Sequence, residues 1–102
     1  MPPRLATARA AAMLQSLANP QRLLAVLYLA GGERSVSELL ERTQTSPSVL
    51  SQHLRVLRDR GIVTRDRRST EVIYRLEDRV AADIAVIACQ QTRAEARDQG
   101  RD

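Results

Sequence analysis

Most of the chemistry open to this chain lies in one stretch, Ser46-Pro47-Ser48-Val49-Leu50-Ser51-Gln52-His53-Leu54. Ser46 is a helix-capping residue and Pro47 suits the first helical position, where no N–H partner is needed. Leu50, Leu54 and Leu57 recur at helical spacing and form a ridge for a core. Ser48, Ser51, Gln52 and Arg55 fall on the opposite side. Small hydroxyl and amide groups above a leucine ridge suit a helix laid in the major groove of DNA. Gln matches adenine N6 and N7, and Arg matches guanine O6 and N7 or a phosphate. Thr45 and Ser46, at the helix start, are placed to bond phosphate.

Other chemistry is sparse. His53 is the only histidine and Cys89 the only cysteine. One of each excludes an intrachain disulfide framework, and a zinc site unless subunits share ligands. His53 has no nucleophile arranged around it, so a base role lacks a partner. It is expected at the base of its helix, packing there or touching a phosphate. Cys89 reads as a small buried hydrophobe, with a redox role as the alternative. Paired carboxylates in a pocket, a phosphate loop and a Cys/His pair are all missing, which argues against an enzyme. No cofactor is implied.

The elements that must hold the stretch are legible on either side. Ala6 to Leu17 is Ala-rich and helical, with Met13, Leu14 and Leu17 as its apolar edge. Asn19-Pro20 starts a second helix, with Leu23, Leu24, Val26 and Leu27 apolar and Gly31-Gly32 at its end. Ser35-Val36-Ser37-Glu38 is a capping box that opens a short helix to about Arg42. Thr43-Gln44-Thr45 is a turn, and Gly61 stops the next helix near Arg60. Short helix, turn and second helix make a helix-turn-helix. From Ile62 the period changes. Ile62 to Arg65 is strand-like, and Val72, Tyr74 and Leu76 alternate onto one side of a second strand. The basic loop between them, Asp66 to Glu71, makes a hairpin wing able to meet phosphates or a minor groove. Arg65, Arg67 and Arg68 are its expected contacts, while Arg58 and Arg60 fall between contact and solvated surface. A last helix from about Asp78 to Arg93 or beyond carries Val80, Ile84, Ile87 and Ala88 as an apolar stripe.

The fold expected is therefore mainly α with a small β-hairpin, in one domain over 1–102 with frayed ends at about 1–5 and 95–102. Aromatic residues are only 2%, so Leu, Val, Ile and Ala must build the core. No apolar run reaches the roughly 18 residues of a membrane span, and the N-terminus lacks a signal-peptide core. A cytoplasmic location is expected.

Net charge is +4, and every basic residue is Arg. Between Ser46 and Arg75 lie seven Arg and three acids, while the remainder is neutral. The whole excess thus sits on the helix and wing described above, the footprint of a face that meets a polyanion.

This arrangement is a winged helix-turn-helix, and its wording resembles the ArsR/SmtB family of bacterial transcriptional regulators. The matching residues are Leu17 to Leu23, Ser35 to Leu39, Ser46 to Leu54, Leu57-Arg58, Gly61-Ile62-Val63, and Arg65 to Tyr74 in the wing. The Leu-Ser-Gln-His-Leu run resembles the branch that holds nodulation and haemolysin regulators. The resemblance implies a homodimer joined through the first and last helices, a double-stranded DNA partner and repression at an imperfect promoter palindrome. The two-fold would set the reading helices about one DNA turn apart, ~34–36 Å. Those first and last helices are also more apolar than a chain this short can easily cover. A winged-helix module that binds protein and not DNA is the alternative, but such modules usually lose the basic excess retained here.

The resemblance also supplies sensing sites to compare. Ser35 and Ser37 stand where a family metal site has Cys-x-Cys, and hydroxyls are poor ligands for soft metals. Asp78 matches the first ligand of a second site, but Val80 and Gln91 stand where histidines are needed. Relatives with a two-cysteine switch pair the last helix with the second; this chain has Cys89 in the last helix but Leu27 near the other position. A disulfide between two Cys89 across a two-fold is the remaining redox route. No inducer is legible.

Overall fold

The computed structural model describes residues 1–100. Five helices and three short strands follow in the order α1 (Pro3–Leu17), α2 (Pro20–Ala30), β1 (Arg34–Ser35), α3 (Val36–Thr43), α4 (Pro47–Asp59), β2 (Val63–Arg68), β3 (Glu71–Leu76) and α5 (Arg79–Asp98).

Local capping explains most boundaries. The Asn19 side chain accepts from the backbone N–H groups of Gln21 and Arg22, opening α2. Ser35 and Glu38 close a reciprocal capping box at α3. That backbone hydrogen bond from Ser35, the largest cause, holds the Glu38 carboxyl below its ordinary value. Gln44, in the left-handed region at φ 54°, turns the chain from α3 toward α4. Ser46 Oγ accepts from Val49 N–H at 3.2 Å and starts α4. At its other end Gly61 takes φ +71°, a conformation that costs glycine nothing. Gly61 N–H then reaches the Arg58 carbonyl and Ile62 N–H the Leu57 carbonyl, a Schellman closure. Ile62 and Leu57 are both buried, which supplies the apolar contact such closures favour.

The buried core draws on nearly every element. Leu17 comes from α1, Ala25, Val26 and Leu29 from α2, and Leu39 from α3. Leu50, Leu54 and Leu57 come from α4, Ile62 and Val63 from the start of the wing, Tyr74 from β3, and Ala81, Ala82 and Ala85 from α5. The leucine ridge of α4 is thus the expected one. In α2 the fully buried face is Ala25, Val26 and Leu29, with Leu23 and Leu27 packed at its margin. Leu14 is exposed, so only Leu17 and Met13 of the expected α1 edge face inward.

Three expectations change. The sheet has three strands, not two, in the order β1-β3-β2 with all pairs antiparallel. Arg34 pairs with Tyr74 and Ser35 with Ile73, so the residue that caps α3 also closes a sheet edge. A cap needs an extended backbone, and Ser35 at φ −74°, ψ 159° serves both roles. Secondly, Asp66, Arg67, Arg68 and Glu71 are strand residues, and only Ser69-Thr70 forms the turn. Ladder pairing with β3 overrides their polarity. Thirdly, helix extends into both of the expected frayed ends, over 3–5 and 95–98. Pro3 presets its own φ and starts α1 well before Ala6. Helix-favouring Ala, Arg and Glu carry α5 to Asp98, helped by a Gln91–Glu95 hydrogen bond one turn apart. Residues 101–102 of the expected C-terminal fray lie outside the described residues.

Candidate nucleic-acid interface

With Leu50, Leu54 and Leu57 buried, helix geometry decides what α4 shows outside. At about 100° per residue, Ser48, Gln52, Arg55 and Asp59 centre on the side opposite that ridge. Ser51 and Arg58 flank it toward the wing, and Val49, His53 and Val56 flank it on the other edge. Ser48, Ser51, Gln52 and Arg55 are all exposed. Among the described residues the side chains of Ser48, Ser51 and Gln52 make no hydrogen bond within the chain. Their donors and acceptors are free for an outside partner. Among the described residues Arg55 is held only by Asp59, 3.9 Å away and one turn on, with both side chains largely in water. Such an exposed pair is worth little and yields readily.

The helix start is divided. Ser46 Oγ spends a lone pair on Val49 N–H, which leaves its own proton to donate outward. Thr45 is less free. Thr43 Oγ1 donates to the Leu39 carbonyl at 2.7 Å, so the 3.1 Å contact between the two threonines takes its proton from Thr45. That hydroxyl braces the turn, and its backbone N–H is the group left to meet a phosphate.

His53 is half-buried and tied to α2. Its Nδ1 accepts from Arg22 Nη1 at 3.3 Å, while Arg22 Nε donates to the Ser16 carbonyl at 2.6 Å. One guanidinium therefore links the end of α1 to α4. Burial first, and then the Arg22 charge, push the imidazole below its ordinary value of 6.5. Nδ1 as acceptor leaves the proton on Nε2.

Strand parity sorts the wing arginines. Residues paired across an antiparallel ladder share a face. Arg65 pairs with Tyr74 and Arg67 with Val72, so these arginines lie on the face that also carries buried Val63. Arg58 of α4 donates to the Tyr74 hydroxyl at 3.0 Å, and Arg65 reaches the same oxygen at 3.5 Å. Tyr74 thereby joins α4 and the wing. Arg65 and Arg67 are exposed, and neither is ion-paired among the described residues. Arg68 has the opposite parity. It binds both carboxylate oxygens of Glu33, one at 3.0 Å, and Asp66 at 3.5 Å. The hydrogen bond to Glu33 raises the guanidinium and lowers the carboxyl relative to their ordinary values. Arg75 is likewise held by Asp66 and Glu77. The free positive charge of the wing is thus Arg65 and Arg67.

Elsewhere, Asp78 caps α5 by accepting from Ala81 N–H at 3.0 Å, and Ser35 caps α3, so these two of the compared metal positions have structural duties. No group of three or more metal-capable side chains occurs among the described residues. Cys89 is half-buried on α5. Arg22, Glu33 and Tyr74 were not singled out from sequence as positioning residues. Their partners lie 31, 35 and 16 positions away, beyond any local pattern.

Residues 19–65 match the family described as bacterial regulatory protein, arsR family. The structure of the transcriptional repressor BigR from Xylella fastidiosa superposes with a TM-score of 0.74 at 37% identity, covering 85% of this chain and 92% of that one. The chain belongs to the ArsR family. The HTH-type transcriptional repressor SmtB of Mycobacterium tuberculosis is 39% identical over 87 residues, which is 85% of this chain and 64% of its own length. The present chain therefore spans under two thirds of that relative. A homodimeric winged helix-turn-helix DNA-binding domain (fragment 1–100 of Mb0332) from Mycobacterium bovis matches with a TM-score of 0.74 at 26% identity, over 99% of this chain and 94% of that one. The winged helix-turn-helix architecture is accordingly the family's. The relatives are named as regulators, not as enzymes.

Proposed function

We propose that this ArsR-family chain is a sequence-specific DNA-binding regulator that acts as a homodimeric repressor at an imperfect palindrome in promoter DNA. The observation that carries it is the common surface of α4 and the wing. Unbonded Ser48, Ser51 and Gln52 stand beside Arg55, and on the wing Arg65 and Arg67 carry unpaired charge, Arg65 joined to α4 through Tyr74. Amide and hydroxyl groups read base edges, while flanking guanidiniums neutralise phosphates and fix register. Ser46 donates to a phosphate at the helix start, and the Nε2 proton of His53 serves a backbone contact on the far flank. Arg68 acts mainly by bracing the wing against Glu33.

The dimer follows from what the protomer leaves uncovered. Leu5 and Leu14 on α1 are 44% and 47% exposed, and Val80 and Ile87 on α5 are 60% and 64% exposed. A second copy covering both helices buries them and duplicates the reading helix. The homodimeric relative supports this reading. A dimer straddling a promoter represses by excluding polymerase, and such a protein works in the cytoplasm. No helix among the described residues is long and apolar enough to cross a membrane. A basic, unbonded outer face favours DNA over a protein-binding winged helix.

Selection of bound duplexes from a random pool tests the proposal. Enrichment of one imperfect inverted repeat is expected, with oxidant and metal ions added in parallel arms to expose any sensing through Cys89. A pool that returns unenriched at moderate ionic strength contradicts it.

A further inference from the structure

Seven large apolar side chains stand exposed among the described residues, and their positions differ in meaning. Met1, Leu5, Leu14, Val80 and Ile87 belong to the N-terminal region and α5, the face assigned above to a second copy. Val56 borders a hollow of about 210 Å³ between α4 and α1, together with Ala12, Gln15, Ser16, Arg22 and Arg60. Val49 is left. It is 39% exposed, in the first turn of α4, directly after Ser48 and one turn before Gln52. Its backbone N–H is already fixed by the Ser46 cap, so the side chain has a set direction.

An apolar group among free polar ones is costly to leave in water and useful in a major groove. The one apolar feature that the groove offers is the C5-methyl of thymine. Residues three apart on a helix have Cβ atoms about 5–6 Å from each other, so Val49 and Gln52 address neighbouring base pairs. Gln52 has the donor and acceptor that match adenine. We infer that Val49 is a specificity-determining residue that packs on a thymine methyl next to the adenine read by Gln52. The inference rests on the DNA-reading role proposed above and adds a base preference to it. Each half-site then contains a thymine whose methyl group, and not its hydrogen-bonding edge, is recognised.

The test uses the full chain and a duplex taken from random-pool selection. Thymines of the site are replaced singly by deoxyuridine, which removes the methyl and keeps pairing. One replacement per half-site is expected to weaken binding about four-fold, the equivalent of one buried methyl-sized group. Val49→Ala should bind the thymine and uracil duplexes equally. Alanine is favoured in helices, so this variant keeps the fold, which its melting temperature checks. If no single uracil weakens wild-type binding, or if Val49→Ala retains the four-fold difference, the inference is overturned while DNA reading stands. Failure to select any duplex sinks both.

Discussion

Helices α4 and α5 present opposite solutions to the same geometric problem. α4 buries Leu50, Leu54 and Leu57 in its own protomer and turns serine, glutamine and arginine outward. α5 buries Ala81, Ala82 and Ala85 and turns Val80 and Ile87 outward. Ile84 packs at the core margin, so Val80 and Ile87 are the large apolar groups of α5 on its outer side. Small residues let a helix approach its neighbours closely, but they remove little apolar area from water. The exterior of α5 therefore suits another protein surface, whereas the exterior of α4 suits a hydrated, charged partner. On the proposed reading, one chain carries a face for its own copy and a face for a polyanion, on separate helices of one core.

The strongest way to break this contrast is to give α5 the exterior of α4. Ile87→Glu places a charge where the proposed second copy packs. Burial of an Ile contributes about 1.5–3 kcal/mol, and a two-fold axis counts it twice. The dimer dissociation constant should rise at least about 100-fold by sedimentation equilibrium, for ~3 kcal/mol or more. Far-UV circular dichroism should be retained. A variant still dimeric at micromolar concentration would remove α5 from the interface.

A change on α4 should act on DNA alone. Gln52→Ala is expected to lower affinity for the selected site by roughly 1–3 kcal/mol and to spare random duplex. Equal loss on both would argue against base reading by Gln52. The wing then divides by parity. Arg65→Ala or Arg67→Ala should each reduce the slope of log affinity against log salt by about 1 per protomer. Arg68→Ala should change it less, because Glu33 and Asp66 already hold that charge. Equal slopes for all three variants would erase the distinction between the wing's two faces.

The smallest effect concerns His53, which joins α4 to the α1 side. Burial and Arg22 lower its pKa in the folded protein below the ordinary 6.5. The unfolded chain then binds the proton more readily, so stability is present above about 6.5 and falls as pH drops through the lower folded value. The melting temperature should decrease on acidification from about pH 7.5 to 5.5, and His53→Gln should reduce this dependence. Identical pH profiles would show that the Arg22 link carries no such coupling.

What was legible in the sequence was what short-range chemistry controls. Ser46-Pro47, the leucine ridge and Gly61 mark α4 from cap to Schellman closure, each within a turn of its partner. Ser35 and Glu38 mark α3 in the same way. β1 escaped because two residues have no periodicity, and Ser35 already had a full explanation as a cap. Asp66 to Arg68 read as loop because their strand character comes from register with β3 and not from β propensity. The stripe of Val80, Ile84, Ile87 and Ala88 was visible, but not that most of it faces away from the protomer's own core. Alanines supply the fully buried residues of α5, and alanine carries a weak hydrophobic signal. Of the candidate contacts, exposure of Ser48, Ser51, Gln52 and Arg55 followed from helix phase. The separation of Arg68 from Arg65 and Arg67 depends on Glu33, far away in sequence.

The link between the two faces is tested most directly by spacing. A dimer fixed through α1 and α5 sets its reading helices about 34–36 Å apart on one side of the duplex. Inserting five base pairs, about half a turn, between the selected half-sites rotates one of them to the opposite side. Affinity should then fall to that of a single half-site. Undiminished binding to the lengthened site would contradict a rigid two-fold reader.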